Sequence, residues 1–228
     1  MCIRDRARNC EIPPVLVFIQ NIYAGNIHSN DYNPTGKRRR AYYLDLHGKK
    51  CLQLLYDVIP FLIVKKEQAV LVYDYIRGVS QLTEAELCAR LTHLKLLTSY
   101  QDIQVRSEQL SEPYISGLVD AEGSIGIQRS TTLTVKITQK SSPELLERIR
   151  ERYGWQAAVY KGTEIKVCGP SAESFLQAIK EWSVVKRLQI DTALKIRQYS
   201  LIKFWNRTRV DNDEIDRLKV LITADKHC

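Results

Sequence analysis

The stretch "YISGLVDAEGSIGI", Tyr114 to Ile127, sets two patterns end to end. Its first half is an apolar run broken by Ser116, Gly117 and Ala121 and closed by Asp120 and Glu122; its second half alternates Ile125 and Ile127 with Gly126 and Gln128. Ser111 at a cap position and Pro113 in the first turn predict a helix here. Gly123 fits the left-handed position just past its end. Gly117 and Ala121 stand four apart on one face, a spacing that lets another backbone approach closer than the usual axis separation of about 8–10 Å. Gly117 costs roughly 1 kcal/mol against alanine in a helix interior, so the sequence predicts a packing contact that offsets it. Asp120 and Glu122 sit at the end where the helix dipole disfavours anions by about 0.3–1 kcal/mol each. Carboxylates there predict a cation opposite. If two such helices met at a two-fold axis, their acids would converge and would repel unless a divalent metal bridged them; oxygen ligands suit Mg²⁺.

The alternation continues beyond the quoted stretch. Leu133, Val135 and Ile137 alternate with Thr132, Thr134, Lys136 and Thr138. Period two with one apolar face predicts half-buried antiparallel strands. The other face offers Gln, Thr and Lys, which hydrogen-bond base edges and phosphates. For one strand alone, an ordinary solvated face explains the same residues.

The chain also repeats itself. "IPPVLVFIQNIY" (Ile12–Tyr23) aligns with "SPELLERIRERY" (Ser142–Tyr153) at an offset of 130. "YLDLHG" (Tyr43–Gly48) aligns with "EIKVCG" (Glu164–Gly169), and "VKKEQA" (Val64–Ala69) with "VKRLQI" (Val185–Ile190), both at an offset of 121. The drop between offsets is an insertion in the first copy, the basic loop "NPTGKRRRA". Thr83-x-x-Glu86 and Asp211-x-x-Glu214 both read as capped helix starts and form a third correspondence. A period near 125 is too long for a solenoid and predicts two fused copies of one domain.

Composition sets bounds. The chain has 228 residues, 44% hydrophobic and 26% charged, with net charge +8, which favours a polyanionic partner as well as solubility. The six cysteines are scattered with no C-x-x-C pair, arguing against structural zinc and a disulfide framework and for a reducing compartment. The longest apolar run, Val58–Val64, contains Pro60 and is far below membrane-spanning length. The amino terminus lacks the apolar core of a secretion signal. No phosphate-binding glycine loop or nucleophile–base dyad is present, and His28, His47, His93 and His227 are isolated.

"ISGLVDAEG" resembles the nine-residue signature of the LAGLIDADG homing endonucleases. Ile115, Gly117, Leu118, Asp120, Ala121 and Gly123 fall on the pattern, with Glu122 at its eighth position. "SIGI", the "TQK" at Thr138–Lys140 and the two "VK…Q" repeats extend the resemblance over nearly the whole chain from Ala7. It implies an α+β fold of two pseudo-two-fold-related αββαββα repeats, whose antiparallel sheets form a basic saddle over duplex DNA. It implies a site-specific endonuclease that hydrolyses phosphodiesters with Mg²⁺, a monomeric pseudo-dimer when intact, in an intracellular, chloroplast or mitochondrial setting. Glu122 is then the metal-binding carboxylate, and Asp120 a structural one. Gln139 and its counterpart Asn9 lie near metal and scissile phosphate. Lys65 and Lys186 organise the nucleophilic water or stabilise developing phosphate charge. Gln128, Arg129, Thr134, Lys136 and Lys166 read DNA, Lys37, Arg38, Arg39 and Arg40 touch its backbone, and Gly117 and Ala121 pack the signature helix against its twin.

One departure from the family is large. The first signature would fall before Met1, so the first repeat is expected to be incomplete and to lack one of two catalytic carboxylates. "MCIRDR" resembles the translation of a sequencing adaptor joined to a reading frame, so residues 1–6 are expected to be foreign. The expected organisation is a truncated first repeat with trailing helix at 7–99, a linker at 100–112 and a second repeat with C-terminal helix at 113–228. Activity of such a fragment is expected to be poor. Two other functions share the basic saddle: an intron RNA maturase, and a metal-free DNA-binding regulator, against which the acid at Glu122 counts.

Overall fold

A computed structural model of the chain describes residues 2–7, 12–30, 40–97, 110–128, 132–140, 142–156, 159–201 and 208–225. They fall into two units, the first ending at Leu97 and the second running from Leu110 to Asp225. Both are α+β with antiparallel sheets.

The first unit comprises strand β1 (Cys2–Ala7), helix α1 (Pro14–Tyr23), strands β2 (Asn26–Asn30) and β3 (Arg40–Asp45), and helices α2 (Lys49–Val58), α3 (Lys66–Ile76) and α4 (Glu84–Leu97). Its sheet runs in the order β1-β3-β2. Leu16, Leu44, Leu46, Cys51, Leu54 and Leu55 form the core beneath it.

The second unit comprises helix α5 (Glu112–Glu122), strands β4 (Gly123–Gln128) and β5 (Thr132–Thr138), helix α6 (Pro143–Arg152), strand β6 (Glu164–Cys168), and helices α7 (Pro170–Ile179), α8 (Arg187–Leu201) and α9 (Arg209–Asp225). Its sheet runs β4-β5-β6. The period-two reading of β4 and β5 puts Ile125, Leu133, Val135 and Ile137 inward, and all four are fully buried. Helices α5, α7 and α8 pack on that face. Phe175 anchors one end of the core, meeting the rings of Tyr153 and Trp155 edge-on at 5.0 Å. Such pairs add about 0.5–1.5 kcal/mol each beyond their burial.

The internal repeat is visible element by element. Gly48 and Gly169 precede α2 and α7 with φ of 56° and 62°, a left-handed conformation that explains glycine at both positions. A 3-10 turn follows in each unit, at Ile59–Phe61 and Lys180–Trp182, then α3 and α8. Lys65 and Lys186 each stand just before their helix, their carbonyls accepting from Ala69 N–H at 3.0 Å and Ile190 N–H at 2.9 Å.

Four details differ from the sequence expectation. The αββαββα pattern predicts a strand before β6; among the described residues there is in its place a bridge between Tyr160 and Glu164, where Lys161 and Gly162 turn the chain back at φ of 50° and 66°. The cap of α9 is Thr208-x-x-Asp211 and not Asp211-x-x-Glu214: the Asp211 carboxylate accepts from the Thr208 N–H at 2.8 Å, as Glu86 does from Thr83 at 2.8 Å. Ser111 sits at the N-cap of α5, but its hydroxyl makes no cap bond. Finally, the register of β1 (Cys2–Ala7) departs from the repeat. The offsets of 130 and 121 place Arg4 on Thr134 and Tyr43 on Glu164. Yet Arg4 pairs with Tyr43, whereas Thr134 pairs with Cys168, four residues further along.

Candidate nucleic-acid interface

Helix α5 runs into β4 with no connecting residue: Glu122 ends one and Gly123 begins the other. The expected left-handed cap is absent, since Gly123 is extended at φ −83°. Glycine is required for a different reason. A Cβ there would stand 2.5 Å from the Val119 carbonyl oxygen and 2.8 Å from Val119 Cγ1. The sharp junction fixes where both acids of the stretch lie.

Asp120 answers the question of acids at the wrong helix end. Its carboxylate accepts backbone N–H groups from Val184 (2.8 Å), Val185 (3.1 Å) and Lys186 (3.0 Å), and the Ser183 hydroxyl at 2.6 Å. These are the unsatisfied donors at the start of α8, so an anion misplaced on its own helix serves the positive end of another. The expected cation is also present: the Lys186 ammonium donates to the Asp120 carbonyl oxygen. In the first unit no side chain caps α3.

Glu122 is exposed, one residue before the strand face. Gly123 pairs with Ile137, so Gln139 reaches the same end of the sheet, its N–H donating to the Thr163 carbonyl at 2.8 Å. The structure thus brings Asp120 and Lys186 into contact and places Glu122 and Gln139 at the same sheet end. Lys65 lies in the first unit and is exposed at the start of α3. Asn9, Lys37, Arg38, Arg39 and Arg129 lie outside the described residues; Arg40 begins β3, its backbone opposite Ala7.

Gly117 lies on an open face of α5. Among the described residues a Cβ there would meet nothing within 4 Å, and Ala121 is likewise exposed; the twin helix expected to cover this face is not in the sequence. What holds α5 is its other side: Ile115 and Val119 are fully buried, and Ser116 donates to the Ile179 carbonyl at 3.2 Å. Glu112, in its first turn, pairs with Arg152 of α6, which holds the carboxyl below its ordinary range.

The outward face of the second sheet forms one wall of an open concavity of about 610 Å³, bounded by Ser124, Gly126, Gln128, Thr134, Lys136, Glu164 and Lys166, with Lys219 and Ile222 from α9. Within it, Lys166 donates to Gln128 at 3.1 Å and Lys136 pairs with Glu164 at 2.8 Å. Thr134 lines the wall but is nearly buried, and its hydroxyl proton goes to the Gly126 carbonyl at 3.0 Å; it retains only acceptor capacity toward a ligand. Glu164, Lys219 and Ser183 were not picked out from the sequence. Glu164 was findable, because it shares the alternation of Lys166 and Cys168 on β6; the other two come from elements distant in the chain.

Mg²⁺ takes near-octahedral oxygen coordination and is commonly held by one or two carboxylates together with substrate phosphates. Among the described residues no cluster of three His, Cys, Asp or Glu side chains exists to hold a metal. Asp120 has both carboxylate oxygens engaged. Glu164 begins β6 at the same sheet end, opposite Thr138, but is paired with Lys136 at 2.8 Å. Glu122 is the exposed carboxylate there, a donor set that fits a cation held jointly with a phosphate. No described helix is long and apolar enough to cross a membrane.

No protein-family model matches the chain, and no curated protein sequence does. Solved structures resemble part of it. Two are of the homing endonuclease I-CvuI, one in complex with its target in the presence of 2 mM Ca, the other with the I-CreI target in 2 mM Mg with the DNA not cleaved. Each match is 18% identical, covers 50% of this chain and 80% of the other, and has a TM-score of 0.42. A likeness of that degree does not by itself assign a fold or an activity.

Proposed function

We propose that this chain is a LAGLIDADG-type DNA-binding protein of the homing-endonuclease kind, which lays the outward strand face of its second unit on duplex DNA. One observation carries the reading. The signature helix passes without a loop into a strand whose polar face lines a lysine-bearing concavity, and that junction leaves the exposed Glu122 at the end of the face. Lys136 and Lys166 supply positive charge for phosphates, and Gln128 and Ser124 supply donors and acceptors for base edges.

For phosphodiester hydrolysis, Glu122 would hold Mg²⁺ together with a backbone phosphate; when bound, the cation polarises the phosphoryl oxygens and stabilises the leaving oxygen. Lys186 is held at the carbonyl end of α5, where its ammonium donates to the Asp120 carbonyl two residues before Glu122. Gln139, at the same end of β5, is placed to orient a water or a phosphate oxygen. Asp120 takes no part in the chemistry and fixes the α8 start that positions Lys186. The sequence contains one signature helix, and a two-metal arrangement draws a carboxylate from each of two, so double-strand cleavage by the 228-residue chain is expected to be weak or absent.

The test is fluorescence anisotropy with labelled duplex DNA across a salt series. Binding in the range of about 10⁻⁴–10⁻⁶ M at physiological salt, tightening steeply as salt falls, is expected. Mg²⁺ should strengthen binding by the wild type and not by Glu122→Gln. Preferential binding of structured RNA over duplex in competition would replace this reading with the maturase one.

A further inference from the structure

We infer that helix α9 supplies a phosphate contact to this groove from outside the sheet, and that Lys219 makes it. The inference rests on the reading of the groove as a duplex-binding face and deepens it.

Signature and strands account for the sheet side of the concavity but not for its other wall. That wall is α9, through Lys219 and Ile222. The helix is fixed there. Ile215, Leu218 and Ile222 recur on one face and are each buried to within a few per cent. They seat α9 against α8 and β4. Glu214 adds a polar tie, accepting from Lys195 of α8 at 2.9 Å and from Arg217 at 2.7 Å, and these bonds hold its carboxyl down at about 2. The corresponding helix of the first unit, α4, packs on α3 as α9 packs on α8, but among its described residues only Leu87 is buried.

Lys219 follows Leu218, so a fixed helix presents it at the groove margin. Its ammonium pairs with Asp216 one turn back at 2.9 Å. The lysine side chain is 32% exposed and its partner 76%, so the acid stands out in solvent while the lysine lies along the wall. An exposed pair of this kind is weakly held and screened by salt. A duplex entering the groove offers the ammonium a phosphate backed by the field of its neighbours, with release of condensed counterions. The other lysines of the concavity are engaged within the sheet, Lys136 by Glu164 and Lys166 by Gln128. Lys219 therefore adds charge at the side of the groove opposite β6, where the described residues of β4 present Ser124, Gly126 and Gln128 and no cation.

The experiment measures duplex affinity from 50 to 200 mM salt for the wild type, Lys219→Ala and Asp216→Asn, on two duplexes of unrelated sequence, with circular dichroism melts as a folding check. Each phosphate contact contributes about 0.9 to the slope of log affinity on log salt, so Lys219→Ala should lose about one unit of slope and about fourfold of the low-salt gain. The loss should be equal on both duplexes, because a phosphate contact carries no sequence information. Asp216→Asn, which keeps the lysine and removes an anion that competes for it, should bind more tightly than wild type. A folded Lys219→Ala with the wild-type slope overturns the inference, as does an Asp216→Asn variant no tighter than wild type. Absence of salt-dependent duplex binding by the wild type itself would instead sink the reading of the groove.

Discussion

Asp120 and Lys186 hold each other twice: the Lys186 backbone N–H donates to the Asp120 carboxylate at 3.0 Å, and the Lys186 ammonium donates to the Asp120 carbonyl oxygen. Together with Ser183, Val184 and Val185, this clasps the end of α5 to the start of α8. Replacing Asp120 by alanine strands several donors at once, so Asp120→Ala should cost about 2–3 kcal/mol in urea unfolding. Glu122→Gln, at an exposed position two residues on, should change stability by less than about 0.5 kcal/mol. Equal stability losses from the two variants would refute the division of labour between the acids.

The two glycines of the signature should respond in opposite directions. Gly117→Ala adds a methyl group in open space within a helix and should stabilise by about 0.5–1 kcal/mol. Gly123→Ala forces a Cβ against the Val119 carbonyl, which cannot retreat without breaking the end of α5, and should cost about 1–3 kcal/mol. Thermal melts decide both; a destabilising Gly117→Ala would mean that this face is covered in solution.

The Glu214 carboxyl, held at about 2 against an ordinary 4.5 by Arg217 and then Lys195, ties stability to pH. A lowered carboxyl contributes stability above its unfolded value and loses it as pH falls through the folded one. The deficit of Glu214→Gln in melting temperature should therefore be full at pH 7 and shrink between about pH 4.5 and pH 2. Because the group is exposed, added salt should shrink it as well. A deficit independent of pH would show that the carboxylate charge is not what anchors α9.

Phe175 carries the aromatic cluster of the second core. Phe175→Ala should cost about 3–5 kcal/mol in chemical unfolding, with Tyr153 and Trp155 left facing a cavity. A cost under about 1 kcal/mol would show that the cluster collapses freely.

The fold was legible where local rules act alone. Alternation at Ile125 and Leu133 marked β4 and β5, and the shared glycines before α2 and α7 marked the repeat, because side-chain period and left-handed backbone are properties of a few adjacent residues. The site was legible only in part. The acids were conspicuous because they oppose their own helix dipole, but the resolution of that conflict lies 63 to 66 residues away, at Ser183 to Lys186. Gly123 was marked as special for the wrong reason, since a close approach and a positive φ leave the same residue in the sequence. Lys219 could not be assigned from the sequence, because its place in the groove depends on where α9 docks.

The four-residue slip of β1 brings a further consequence. In the second sheet β5 is flanked by β4 and β6, whereas β1 has β3 on one side and no strand on the other among the described residues. Among the described residues one row of its main-chain N–H and C=O groups has no strand partner, the condition under which a strand edge can template another. The segment carries Arg4, Asp5 and Arg6 in succession, a mixed-charge triplet that resists such recruitment. Stripping those charges would turn this border of the molecule into a seed for intermolecular sheet growth, visible as concentration-dependent thioflavin-positive aggregation that the unaltered chain does not show.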